Sequence, residues 1–448
     1  MAKKIVIVGG VGGGSTVASQ IRRLDNQAEI TLFERGANIA FSNCGMPYFI
    51  GGTVPVRDDI LPDVEKFAKK YNVDVRIHSE VTQIDRTKKS VTYQNDSGKY
   101  EEPYDVLILS PGAHASVPPI KGLTEQNTFT LRTIPDMDRI NAFINENNPQ
   151  TCAIVGGGFV GLEMAENIRD RNIDCCIIDH SEHVMTLVDS DMAAHIHDHL
   201  DEKGVQLFLN TSLDSFANHG RTLHLNNGKS LETDMTILAV GIKPNTELAK
   251  QADLSLGETG AIHVNEFMQT SDPAIYALGD AAETPDFLTG APSNVALASP
   301  AHRQAYIIAN HLHHTPIRYQ GALGTSIVKV FDLTVTSTGH TSESLKQTSF
   351  QFQTVTHEAL SNAGYFPGAE KLSIKILFAR ETGTLLGGQV IGGKGTDKRL
   401  AVLATAIKGG LTVADLTELE LGYAPPYSSP KDPINIIGYK AVDALNKN

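Results

Sequence analysis

The chain has 448 residues, 41% of them hydrophobic and 20% charged, with a formal net charge of −13. That length accommodates roughly three domains of ordinary size; the acidic balance argues against non-specific nucleic-acid binding, and no apolar run approaches the ~18 residues of a membrane-spanning helix. Four unevenly spaced cysteines make no disulfide framework and fit a reducing, cytoplasmic setting.

Met1-Ala2-Lys3-Lys4 before Ile5–Val8 superficially resembles a signal peptide. The apolar run is too short for one and goes straight into glycines, which fits a buried parallel strand. Gly9-Gly10-Val11-Gly12-Gly13-Gly14 follows, then a predicted helix from about Ser15 to Leu24 and a second strand, Ile30–Phe33, that ends on Glu34. This is the dinucleotide-binding βαβ layout: a tight turn, a pyrophosphate over a helix N-terminus and a carboxylate on the ribose. Gly9, Gly12, Gly13, Gly14 and Glu34 are its candidate binding residues. Val11 stands where the second glycine of G-x-G-x-x-G belongs, so its Cβ limits the approach of the pyrophosphate unless the neighbouring glycines compensate.

Next comes Phe41-Ser42-Asn43-Cys44-Gly45-Met46-Pro47-Tyr48. Cys44 has no partner nearby, since Cys152, Cys175 and Cys176 all lie far downstream. A redox centre at Cys44 therefore works as a single thiol, and its oxidised form is a sulfenic acid, a persulfide or a mixed disulfide. Pro47 suits the first turn of a helix, whose N-terminus is expected to lower the thiol pKa.

Val106–Leu109 reads as a buried strand ending in the small-residue turn Ser110-Pro111-Gly112-Ala113. Cys152–Val155 is a further strand, followed by Gly156-Gly157-Gly158-Phe159-Val160-Gly161, a full G-x-G-x-x-G, a helix from about Leu162 to Arg169, and the strand Cys175–Ile178 ending on Asp179. Gly156, Gly158, Gly161 and Asp179 form a second nucleotide site. Asp179 repels a 2′-phosphate and favours NADH over NADPH; a protonated His180 partly offsets this. Cys175 and Cys176 read as strand packing. Ile237–Asn245 repeats the strand-and-turn pattern, and Ile275–Leu278 leads into Gly279-Asp280, where Gly279 admits a ligand and Asp280 accepts from a polyol hydroxyl.

In this order – fingerprint, lone cysteine, second fingerprint, Gly279-Asp280 – the chain resembles the pyridine nucleotide-disulfide reductase superfamily from residue 1 to about 320. The resemblance implies FAD on the first fingerprint with Asp280 on the ribitol, NADH or NADPH on the second, and Cys44 against the flavin. The implied fold is α/β: two Rossmann-like dinucleotide-binding domains plus a C-terminal α+β dimerisation domain. The implied limits are 1–115 for the first part of the FAD domain, 116–245 for the NAD(P)H domain, 246–322 for the rest of the FAD domain and 323–448 for the dimerisation domain.

From about Gly324 the pattern becomes mixed: strands near 327–331, 333–336, 373–378 and 385–391, and a helix from about Leu400 to Lys408. The tail Tyr423-Ala424-Pro425-Pro426-Tyr427-Ser428-Ser429-Pro430-Lys431-Asp432 is stiffened by prolines, as is Gly364-Tyr365-Phe366-Pro367-Gly368. Together with Asn43-Cys44, these two segments resemble the coenzyme A-disulfide reductases, the single-cysteine branch of the superfamily, over the whole chain. That likeness implies a homodimer that reduces CoA disulfide through a Cys44–S–S–CoA mixed disulfide, with Tyr365 and Tyr423 of the second subunit stabilising or protonating the leaving thiolate. Thr16, Gln20 and Arg23, one polar stripe of the first helix, match CoA contacts, as do Asn43, Arg303 and Lys431.

The peroxidase and oxidase branches carry a histidine in the first glycine loop, where this chain has Gly12. An NADH oxidase, a peroxidase or a CoA persulfide/polysulfide reductase on the same scaffold remains the alternative, and a non-catalytic NADH-sensing or electron-transfer flavoprotein a remoter one. The sequence shows no fused rhodanese domain, which some persulfide-reducing relatives carry at the C-terminus. No metal-ligand constellation is expected.

Overall fold

The computed structural model describes residues 2–447. Lys4–Val8 (β1) is buried except at its first residue and pairs in parallel with Glu29–Phe33 (β2), with helix α1 (Gly12–Leu24) crossing between them. The crossover is a glycine-initiated helix whose Val17 and Ile21 face the sheet. Helix α2 (Met46–Gly51) follows; Asp74–Arg76 (β3) extends the sheet beyond β2, and Val106–Leu109 (β4) adds on the other side of β1.

A second parallel sheet is built from Thr128–Phe129 (β5), Thr151–Val155 (β6), Asp174–Ile178 (β7), Gln206–Phe208 (β8) and Met235–Leu238 (β9), in the order β8-β7-β6-β9-β5. Helix α3 (Phe159–Arg169) is its first crossover. An antiparallel pair, Ala113–Ala115 with Ile242–Pro244, carries the chain out of the first sheet and back. Ile275–Ala277 (β10) then completes the first sheet beside β4, giving β10-β4-β1-β2-β3, and α4 (Ala298–Leu312) packs along α1. Both sheets are parallel and covered, which explains their near-continuous apolar strands.

The last third forms an antiparallel sheet of Ser326–Val330 (β11), Leu333–Gly339 (β12), Phe352–Leu360 (β13), Lys371–Ala379 (β14) and Leu385–Gly392 (β15), ordered β11-β12-β15-β14-β13. Helices α5 (Thr396–Lys408) and α6 (Pro433–Asn446) join the core of this domain. This is the expected α/β arrangement of two nucleotide-type units and an α+β unit. No helix of the described residues is long and apolar enough to cross a membrane.

Candidate active site

The loops after β1, β4 and β10 open on one cleft of about 760 Å3, lined by residues of both the glycine turn and the Cys44 segment. Loops beyond the carboxyl ends of parallel strands are the usual ligand position in such sheets. Gly9 takes φ +96°, and a Cβ on Gly14 would lie 1.8 Å from the Gly9 carbonyl oxygen. The turn therefore tolerates no side chain at either position. Val11 adopts an ordinary negative φ of −82° as N-cap, while a Cβ on Gly12 would meet only open space. No side chain caps α1 and no acid stands in its first turn, so its free N–H groups are left for an anion.

The Glu34 carboxylate accepts from Gly10 N and Gly36 N, each at 2.8 Å, which fixes it at the rim of the cleft. Asp280 pairs with Arg132, whose Nε donates to the Ala113 carbonyl at 3.1 Å. Both Asp280 and Arg132 line the cleft. Glycine floor, uncapped helix and rim carboxylates fit a bound dinucleotide.

The second turn repeats this geometry. Gly156 has φ +109°, and a Cβ on Gly161 would lie 1.9 Å from the Gly156 carbonyl oxygen. Gly158 starts α3 without a side-chain cap. Asp179 accepts from Gly157 N at 2.6 Å and Ser181 N at 2.7 Å. His180 is exposed, with Nδ1 3.5 Å from Asp179 Oδ1.

Cys44 sits in a 3-10 turn, Asn43–Gly45, just before α2. Its thiol is free and the residue is solvent-exposed. Asn43 Nδ2 donates to the Arg132 carbonyl at 3.2 Å, tying this turn to the arginine that pairs with Asp280. The expected lowering of the thiol pKa does not occur in the chain by itself. Although the residue is exposed to solvent, the cleft wall partly desolvates its thiol; this desolvation, then the Glu163 carboxylate, push it above the ordinary value, against the pull of Arg132 and of a backbone N–H. Glu163 is itself pushed up to about 7, by burial and by Glu166. Burial and the same two carboxylates raise Tyr48 to about 12. Buried Glu166 is held by Lys329 Nζ and by Phe331 N, the latter at 2.8 Å.

The other expected site residues lie elsewhere. Tyr365 and Tyr423 are 77% and 45% exposed and, like Lys431, are not among the residues lining the cleft. A Tyr365–Tyr423 hydrogen bond raises the Tyr423 pKa. Lys431 Nζ lies 5.7 Å from the Tyr439 ring centre. On α1, Thr16 donates to the Gly12 carbonyl at 2.7 Å, Gln20 is half-buried and Arg23 is exposed. Lys70 and Arg23 both hydrogen-bond Tyr71 and lower its pKa. Arg303 projects from α4 over the Tyr306 ring. Arg132, Glu163 and Lys70 escaped the sequence reading, because no local motif marks them. Among the described residues, no cluster of three His, Cys, Asp or Glu could hold a metal ion.

The family of pyridine nucleotide-disulphide oxidoreductases matches residues 3–305, and its dimerisation domain matches residues 325–432. The chain is 40% identical over 445 residues to the coenzyme A disulfide reductase of Staphylococcus haemolyticus, covering 98% of this chain and 100% of that protein. It superposes on reduced Bacillus anthracis CoADR-RHD with a TM-score of 0.98 and 46% identity, covering 100% of this chain and 81% of the other. An NAD-dependent persulfide reductase from A. fulgidus gives a TM-score of 0.96 at 33% identity, covering 99% and 84%. The two glycine turns and the lone cysteine between them fall within the first of these matches and the C-terminal sheet within the second: the chain belongs to the pyridine nucleotide-disulphide oxidoreductases.

Proposed function

We propose that this enzyme reduces coenzyme A disulfide to two CoA thiols with NAD(P)H, using FAD and the single thiol of Cys44. The carrying observation is an unpaired, accessible cysteine on the cleft of the first glycine turn, in a chain related over its whole length to coenzyme A disulfide reductases. FAD, held by Gly9, Gly12, Gly13, Gly14, Glu34 and Asp280, supplies the two-electron relay between NAD(P)H and sulfur. Gly156, Gly158, Gly161 and Asp179 hold the nicotinamide nucleotide, and the Asp179 carboxylate favours NADH. Residues 1–115 and 246–322 form the FAD domain, 116–245 the NAD(P)H domain and 323–448 the dimerisation domain.

The Cys44 thiolate attacks one sulfur of CoA disulfide, forming Cys44–S–S–CoA and expelling one CoA thiolate. Tyr365 and Tyr423 of the second subunit of a homodimer protonate that leaving group. Two electrons from NAD(P)H then cleave the mixed disulfide, releasing the second CoA and returning Cys44 to the thiolate. Thr16, Gln20, Arg23, Asn43, Arg303 and Lys431 bind CoA, the cations facing its phosphates. Free cysteines support a reducing, cytoplasmic setting.

The test is anaerobic NADH consumption by the FAD-loaded protein with CoA disulfide, counting released thiols. About two thiols per NADH is the expected result, since one hydride cleaves one disulfide. No turnover with CoA disulfide, but rapid turnover with CoA persulfide, would move the reading to persulfide reduction, the activity for which the A. fulgidus neighbour is named.

A further inference from the structure

The two segments that carry the tyrosines and Lys431 meet in the structure over one fully buried cation. Arg399, on α5, is 0% exposed. Burying a guanidinium is costly unless every donor finds a partner. Here its Nη2 donates to Asp432 Oδ2 at 2.9 Å and to the Ser361 carbonyl at 3.1 Å, and Nη1 donates to the Gly395 carbonyl at 3.1 Å. Ser428 Oγ closes the network, donating to Asp432 Oδ2 at 2.6 Å. Asp432 also accepts from Ile434 N at 3.0 Å and so caps α6.

The partners of this knot are not scattered. Ser361 lies at the base of the loop that carries Tyr365, and Ser428 and Asp432 flank Lys431 in the segment that begins with Tyr423. A backbone bond from Ala363 N to the Pro425 carbonyl at 3.2 Å joins the same two segments. Gly395 takes φ +82°, and a Cβ there would lie 2.4 Å from Arg399 Nη1, so the space beside the guanidinium is kept clear.

We propose that Arg399 is a positioning residue, whose fork of hydrogen bonds locks the Tyr365 loop to the Tyr423–Lys431 segment and so presents both hydroxyls and the lysine as one rigid unit to CoA disulfide. The inference rests on the substrate reading above. A lysine in this place keeps the charge but cannot reach the Ser361 carbonyl and the Asp432 carboxylate together, because it lacks the planar fork.

Arg399→Lys and Ser428→Ala are compared with wild type in the FAD-loaded enzyme. Arg399→Lys is expected to keep NADH–ferricyanide turnover within about twofold, since that reaction needs neither tyrosine, while kcat/KM for CoA disulfide falls about tenfold or more. Its alkaline limb moves to lower pH: Tyr423 is held up by Tyr365, and a phenol that loses this partner gives up its proton earlier. Ser428→Ala should shift the limb the same way with a smaller loss of rate, which keeps the test alive if Arg399→Lys does not fold. Hydrogen exchange over 361–368 and 421–431 should accelerate in both segments together. Unchanged exchange and an unchanged pH limb, or parallel loss of both turnovers, overturn the positioning role. A wild type inactive on CoA disulfide fails the substrate reading instead, and the exchange experiment still decides whether Arg399 couples the segments.

Discussion

Cys44 and Glu163 lie far apart in sequence, yet the second nucleotide unit places the carboxylate within electrostatic reach of the thiol. Above its own pKa of about 7, Glu163 is charged and opposes ionisation of Cys44; below it, the carboxyl is neutral and the opposition disappears. Glu163→Gln should therefore leave Cys44 reactivity unchanged in acid and lower its apparent pKa in the neutral to alkaline range. Iodoacetamide alkylation as a function of pH reads this, because burial holds Cys152 and Cys175 well up, and Cys176 at about 11, so they react slowly. A titration midpoint that stays in place would remove Glu163 from the thiol's environment. Cys44→Ser tests the nucleophile itself: CoA-disulfide turnover should drop at least about a thousandfold, while FAD content and NADH–ferricyanide turnover persist. The direction of the Cys44 shift was not legible in sequence. Pro47 announced a helix end, but the opposing carboxylate comes from another domain, and pairwise charge depends on folded distance.

At the level of elements, the two glycine turns are near copies, and their last glycines face the same constraint. A Cβ on Gly14 or on Gly161 would sit within 2 Å of a carbonyl oxygen of its own turn, at 1.8 and 1.9 Å. Backbone has to move in either case, at about 1–3 kcal/mol for such overpacking. The outcomes should nevertheless separate. Gly14→Ala yields protein depleted in FAD, seen as loss of visible absorbance, whereas Gly161→Ala keeps its colour and raises the KM for NADH. If both variants lose flavin alike, the division of labour between the turns is wrong. These elements were readable because a dinucleotide turn is local: strand, glycines, helix and acid fall within one short stretch, as Gly156 to Asp179 do. Arg132 and Arg399 were not, because each acquires its role from partners brought up by the fold, Asp280 for one and Asp432 for the other. The sequence pattern starts a helix at about Leu400, next to Arg399; only packing turns that arginine into a buried knot.

The whole molecule sets the tyrosines apart from the thiol they are proposed to serve. The C-terminal unit is fastened to the second nucleotide unit by buried Lys375, whose Nζ lies 2.7 Å from Asp189 Oδ2, and by Asp189 Oδ1, which accepts from Ser342 N at 2.7 Å. That clamp fixes the C-terminal sheet with Tyr365 and Tyr423 exposed and outside the cleft lined by Cys44. On the proposed mechanism, a complete site then needs a second copy, of the kind the matched dimerisation domain suggests. This has a sharp consequence for mixed dimers. In a heterodimer of a Cys44→Ser chain and a Tyr365→Phe/Tyr423→Phe chain, one site combines the intact cysteine of one chain with the intact tyrosines of the other, and the second site has neither. Affinity-selected heterodimer should recover about half of the wild-type kcat for CoA disulfide, although each parent homodimer is impaired. If the tyrosines served their own chain, both sites of the heterodimer would be defective and no recovery would occur. The measurement separates the two arrangements without a bound ligand, because it depends only on which chain contributes which side chain.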